Sequence, residues 1–181
     1  MQVNQKAIAT GIITAEFYDQ SKLDKFDKAI NRFILSMRDK YPHLMKSYRL
    51  GPKVKTDVKK NVICDAGFNV FCRILKSGAT SYGGEAKITK MALGTGAGTP
   101  SANDTGLFNE DYRNDTYSGS ESGNVFYLTA IFTEGECSGN YTEFGNFIDD
   151  TELWSHIAGL NWVKDTNTAL VVSCKYTFQS I

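Results

Sequence analysis

The sequence predicts an α+β chain: an N-terminal amphipathic helix and a short second helix, followed by an antiparallel β-sandwich. Three observations carry this. Leu23, Phe26, Ile30, Phe33, Ile34 and Met37 recur at the offsets of one helical stripe. From Lys87 onward the 3.6-residue period gives way to runs rich in β-branched and aromatic residues, bounded by Gly, Asn, Ser and Asp. Five or six such runs follow one another with no helix between them, the pattern of antiparallel sheets rather than of βαβ units.

In chain order, residues 7–18 read as a short strand or extended arm. Ser21 and Asp24 form an approximate capping box for a helix over 22–40, which Pro42 stops near Tyr41. Residues 46–60, interrupted by Gly51-Pro52, read as a basic connector loop. Asp65 is placed to cap the second helix, to about Lys76, with Cys64, Phe68, Phe71, Cys72 and Leu75 on one side. Strands are predicted at 87–93, 108–117, 125–132, 141–148, 153–160 and 169–178, with a small-residue loop at 94–104 and a turn at 118–124. The expected division is 1–60 (arm, helix and connector) and 61–181 (short helix and sandwich).

A chain of 181 residues, 41% apolar and 22% charged, buries a core without disulfide staples. No apolar run approaches a membrane span, and Met1–Lys6 lack the plan of a secretory signal, so the expectation is a soluble protein kept in a reducing compartment. The formal net charge of zero conceals a split. Residues 1–60 hold 13 Lys and Arg against 6 Asp and Glu, and residues 61–181 hold 7 against 14. Such a dipole bears on association and not on fold. Lys53, Lys55, Lys59 and Lys60, with Tyr48 nearby, are the candidate partner-contact residues.

No set of residues assembles a catalytic or metal centre. Cys64, Cys72, Cys137 and Cys174 share no metal-ligand spacing with His43 or His156, so neither zinc nor a disulfide is implied. Gly94-Thr95-Gly96-Ala97-Gly98 lacks the Lys-Ser/Thr pair and following helix of a phosphate loop, and reads as a structural loop. Ser155 and His156 are adjacent on a strand and point to opposite faces, so they cannot form a nucleophile pair. Glu134, Glu136 and Glu143 flank a turn with no nameable cationic or aromatic pocket. The expectation is a protein that is no enzyme, needs no cofactor or small-molecule substrate, and works by binding or assembly.

Met91-Ala92-Leu93-Gly94-Thr95-Gly96, then Thr99-Pro100, Asn103-Asp104-Thr105-Gly106-Leu107, Glu110 and Arg113 form one pattern. It resembles a stretch common in tailed-bacteriophage structural proteins, of the form ALGTG…P…DT.L..E..R. The likeness continues through Leu128–Phe132, Glu136, Gly139, Thr142–Asp149 and Leu153–His156, and upstream through Asn61–Gly67. Asn146 departs from it, where such proteins usually carry an apolar residue, and the basic N-terminal helix has no counterpart. The resemblance implies a virion structural protein of the tail, baseplate or fibre-attachment region, without catalysis. Its partners would be other virion proteins and copies of itself, with assembly in the host cytoplasm and no membrane. The alternatives are a head-surface decoration protein, or a host-surface or carbohydrate-binding sandwich using Tyr112, Tyr117 and Tyr141. Nucleic-acid contact would rest on residues 46–60 alone.

Overall fold

The computed structural model describes residues 7–69, 88–116, 118–148 and 152–180. Among them are nine strands: β1 (Ala7–Asp19), β2 (Lys53–Ile63), β3 (Ile88–Gly94), β4 (Glu110–Asp115), β5 (Ser118–Ser122), β6 (Val125–Phe132), β7 (Gly139–Ile148), β8 (Glu152–Lys164) and β9 (Thr168–Ser180). One helix, α1 (Lys25–Met37), stands between β1 and β2, followed by a 3₁₀ turn at Pro42–Ser47. The strands form one sheet in the order β4-β3-β7-β8-β2-β1-β9-β6-β5, and every pairing is antiparallel.

This order requires the sheet to curl. β8 and β9 are joined by residues 165–167 alone, yet they lie in different halves of the order. A connection that short spans at most about 14 Å, enough to cross the ~10 Å between facing sheets and no more. The halves are continuous through β2, which pairs with β1 from Lys53 to Asn61 and with β8 only at Val62 and Ile63. At the far side, β4 closes on β6 through side chains: Asn114 Nδ2 donates to the Ile131 carbonyl at 2.7 Å, and the Tyr112 and Phe132 rings meet at 6.2 Å. The molecule is therefore β-rich with few helices, built on one curled antiparallel sheet where the sequence predicts two separate ones.

Inside the curl, Ile13 and Phe17 of β1, Phe132 of β6, Phe144 of β7, Trp162 of β8 and Leu170 of β9 form the main core. A bulge in β8 shapes it. Asn146 pairs with Ser155 and Phe147 with Leu153, so Trp154 is an extra residue, and both Trp154 and Ser155 turn inward. A second layer lies outside the sheet, where Ile34 of α1, Met45 and Tyr48 cover Ile131, Ala169 and Val171. Asn31 locks α1 to the chain that follows it: its Nδ2 donates to the Arg49 carbonyl at 2.9 Å and its Oδ1 accepts from Arg49 N at 2.7 Å.

Several expectations are corrected. Residues 53–60 are not a connector loop but most of β2, whose valines and threonine suit a strand and whose lysines reach solvent beside β1. The expected division at 60/61 falls inside this strand. The turn at 118–124 is an edge strand, β5, reversing at Gly123 (φ 59°). The cap of α1 is Asp24, which accepts from Asp27 N at 2.8 Å, while Asp19 caps a preceding 3₁₀ turn. Cys64 precedes the helical turn at 65–69 rather than lying on its stripe, and packs with Ala92, Phe147 and Leu153. The remainder of that predicted helix, Cys72 included, lies outside the described residues.

Candidate functional site

Gly94, Gly96, Asp104 and Leu107, with Glu143 and His156, converge on one place, the loop from Gly94 to Asn109 folded over β7 and β8. Its centre is Glu143, fully buried on β7. One carboxylate oxygen accepts the backbone N–H groups of Gly96 (2.9 Å) and Asn109 (2.7 Å), and the other accepts that of Phe108 (2.8 Å). The two glycines are required by this closeness: a Cβ on Gly94 or Gly96 would sit 2.5 Å from Glu143 Oε1. The loop is thus stapled from beneath at both ends by a single carboxylate.

His156 extends the staple. Its Nε2 lies 3.0 Å from Glu143 Oε2 and its Nδ1 lies 2.6 Å from Asp104 Oδ2, so both ring nitrogens face carboxylates. Phe108 covers the ring at a centroid distance of 4.7 Å. Asp104 also accepts Ser101 N at 2.9 Å, and Ala102 O accepts Asp65 N at 2.7 Å, which ties the loop to the helical turn at 65–69. Burial pushes the Glu143 carboxyl up, but the N–H groups of Asn109, Phe108 and Gly96, with His156, outweigh it and hold the group below its ordinary value. Asp104 is held low in the same way by the Ser101 N–H and His156 against the effect of burial.

The other pattern residues frame this unit. Glu110 and Arg113 pair through two contacts of 2.7 and 2.5 Å, and the guanidinium lies 3.7 Å from the centre of the Phe147 ring. Leu107 packs on Leu153 and Phe147. Gly145 admits no side chain there, since a Cβ would lie 2.8 Å from Leu107 and 2.9 Å from Leu153.

Asn146, the departure from the pattern, belongs to a separate polar cluster inside the core. Its Nδ2 donates to Tyr176 Oη at 2.5 Å and to Ser155 Oγ at 3.1 Å, and Ser155 and Tyr176 are 2.6 Å apart. Ser155 and His156 engage different partners on opposite faces of β8, as their adjacency predicts. A third cluster surrounds the β6–β7 turn. Arg38 pairs with Glu136, the Tyr48 hydroxyl donates to Glu134, and the buried Lys164 donates to the Cys137 carbonyl at 2.7 Å. Glu134, Glu136 and Glu143 therefore each have the cationic or aromatic neighbour that the sequence does not reveal, and each is used to fasten one segment to another.

The predicted contact lysines do not form one patch. Lys53 pairs with Glu16 at 2.8 Å, and Lys55 donates to the Asn161 carbonyl at 2.7 Å while lying 5.0 Å from the centre of the Phe17 ring. Lys59 lies 3.7 Å from Asp57, whose other oxygen accepts Trp162 Nε1 at 2.9 Å. Lys60 stands opposite Ile12 in the pairing and projects to the other face from Lys59. Of the proposed sugar-stacking residues, Tyr141 is fully buried and donates to Asp111 at 3.1 Å, Tyr112 packs on Phe132, and Tyr117 lies outside the described residues. Burial pushes the Cys64 and Cys174 thiols up to about 12 each, so neither is a ready nucleophile.

No known protein family matches the chain, nor does any curated protein or solved structure at a significant level.

Proposed function

We propose that the chain is a structural subunit of a tailed-bacteriophage virion, in the tail, baseplate or fibre-attachment region, that acts by protein–protein assembly and not by catalysis. The observation that carries this reading is the convergence of the phage-like residues. Gly94, Gly96, Asp104, Leu107, Glu143 and His156 serve to close one loop onto the sheet, and Glu110 and Arg113 pair on β4 beside it. A pattern spent on rigidity suits a subunit whose surface must be reproducible from copy to copy. In this reading the two halves of the curled sheet act as a β-sandwich shell, with α1 and the β2 lysines, Lys53, Lys55, Lys59 and Lys60, as outward features for neighbouring proteins.

The carbohydrate-binding alternative is weakened at two of its three tyrosines, because Tyr141 is buried and Tyr112 packs against Phe132. The test is to raise antibody to the chain and probe density-purified phage particles from the source lysate by mass spectrometry and immunogold microscopy. Stoichiometric recovery with labelling at one site on the particle supports the reading. Exclusion from washed, intact particles overturns it.

A further inference from the structure

We propose that His156 is a proton-operated latch: with a proton on both ring nitrogens it holds residues 101–107 of the loop down on the sheet, and with one proton removed it lets that arm go. The proposal does not depend on what the chain assembles with. The ring is fully buried on β8, with Nδ1 2.6 Å from Asp104 Oδ2 in the loop and Nε2 3.0 Å from Glu143 Oε2 on β7. A neutral imidazole has one N–H and one lone pair, so it satisfies one carboxylate and turns its lone pair on the other. Both contacts are hydrogen bonds at once only if both nitrogens donate, or if one carboxyl carries the proton instead. The partners argue against the second arrangement. Glu143 already accepts the N–H groups of Gly96, Asn109 and Phe108, and Asp104 accepts that of Ser101. Each carboxyl is held below its ordinary value. The closed latch is therefore an imidazolium between two carboxylates.

The rest of the surroundings carry no charge that could replace the ring. Its neighbours across the paired strands are Val62 of β2 and Gly145 of β7, and Phe108 covers it from the loop. Beyond β2, burial with Asp104 and Asp65 pushes the Cys64 thiol up to about 12, which keeps it neutral. Which contact breaks follows from burial. Glu143 is fully buried and fixed by three N–H groups, whereas the Asp104 side chain is partly exposed and can turn to water. The last ring proton therefore stays on Nε2, toward Glu143, and Nδ1 presents a lone pair to Asp104. The staple from Glu143 to Gly96 and Asn109 survives this, and the arm that carries Asp104 loses its hold. The same arm holds Ala102, whose carbonyl accepts Asp65 N at 2.7 Å, and Leu107, which packs on Leu153 and Phe147. Release thus frees the helical turn at 65–69 from the loop and uncovers apolar surface on β7 and β8.

The experiment is an NMR titration of the full chain toward rising pH, following histidine ring-nitrogen shifts and amide hydrogen exchange in the same samples. The chain has two histidines, and the exposed His43 is the internal reference. While the loop is closed, both nitrogens of His156 are expected to show the shifts of protonated nitrogens. Where Nδ1 loses its proton, protection of the Asp65 amide is expected to fall by about tenfold or more, as loss of a charge-assisted hydrogen bond implies. The Gly96 and Asn109 amides should keep their protection through the same step. D104N, which removes one of the two charges that hold the second proton, is expected to bring the step to lower pH. H156Q, which cannot titrate, is expected to show no step, and circular dichroism checks that each variant is folded. The titration of the parent chain decides the matter even where a variant does not fold. A ring with one bare nitrogen while Asp65 is still protected, or an Asp65 amide indifferent to loss of the ring proton, would overturn the latch. So would a ring that keeps both protons until the whole chain unfolds.

Discussion

Replacing Glu143 with Gln changes one atom and removes the charge on which three backbone N–H groups and His156 converge. One end of the new amide is a donor and must face either the Gly96 and Asn109 N–H groups or the Phe108 N–H and the histidine. Hydrogen bonds to a buried charge are worth about 1.5–3 kcal/mol each and cannot all be replaced. E143Q should therefore cost about 3 kcal/mol in urea unfolding, with loop 94–109 exchanging its amide hydrogens faster than the sheet. The pH dependence follows from the same groups. Glu143, Asp104 and Glu136 all have carboxyls depressed in the folded protein. Their stabilisation is fully present above the unfolded carboxylate values, near 4, and is lost as pH falls through the lower folded values. Thermal melts should hold level above about pH 5 and fall steeply below pH 4, less steeply in E143Q, which lacks one of the three groups. Little of this was legible in the sequence. Gly94 and Gly96 announce a loop, but the carboxylate that dictates them lies 47 residues beyond Gly96, and only the β3–β7 register brings the two together.

At the scale of the element, α1 shows what periodicity does and does not convey. The stripe from Leu23 to Met37 marks a helix, and the structure has one at Lys25–Met37. A stripe does not say which of its residues meets the core. Ile34 is buried under the sheet layer, whereas Phe26 and Phe33, on the adjacent side, face solvent. Were Phe33 shielded by the protein's own core, Phe33→Ala would cost ~3–5 kcal/mol. At its observed exposure the cost should stay below about 1 kcal/mol, while Ile34→Ala should cost about 2–4 kcal/mol. Equilibrium unfolding of the two variants separates the cases directly. The strands were legible where β-branched and aromatic residues dominate, as in β6 and β9. They were not legible in β2, where lysines between the valines mimic a loop, or in β5, whose Ser-Gly-Ser-Glu-Ser is turn chemistry held extended by pairing with Val125–Thr129.

For the whole molecule, what matters is where the N-terminal third sits. By sequence, residues 1–60 resemble an appendage: basic, carrying the helix, and set apart from an acidic β-rich remainder. In the sheet, β1 pairs with β9 along its full length and with β2 from Gly11 to Tyr18, and β2 is the strand through which the two halves join. Removing residues 1–60 would strip the pairing edge of β9 from Ala169 to Ser180 and leave β8 without the strand whose Asp57 receives Trp162. Phe17, which meets Trp162 edge-on at 6.4 Å, would go with it and open the core to water. The fragment 61–181 should therefore fail to fold alone, giving collapsed amide dispersion and no cooperative melt. The intact chain should unfold in a single calorimetric transition whose van't Hoff and calorimetric enthalpies agree. Adding the separate 1–60 peptide should recover native dispersion only to the extent that β1 and β2 insert between β8 and β9. A fragment 61–181 that folds and melts cooperatively by itself would mean that the sheet tolerates a gap at its centre, and that the basic N-terminal third is an appendage after all.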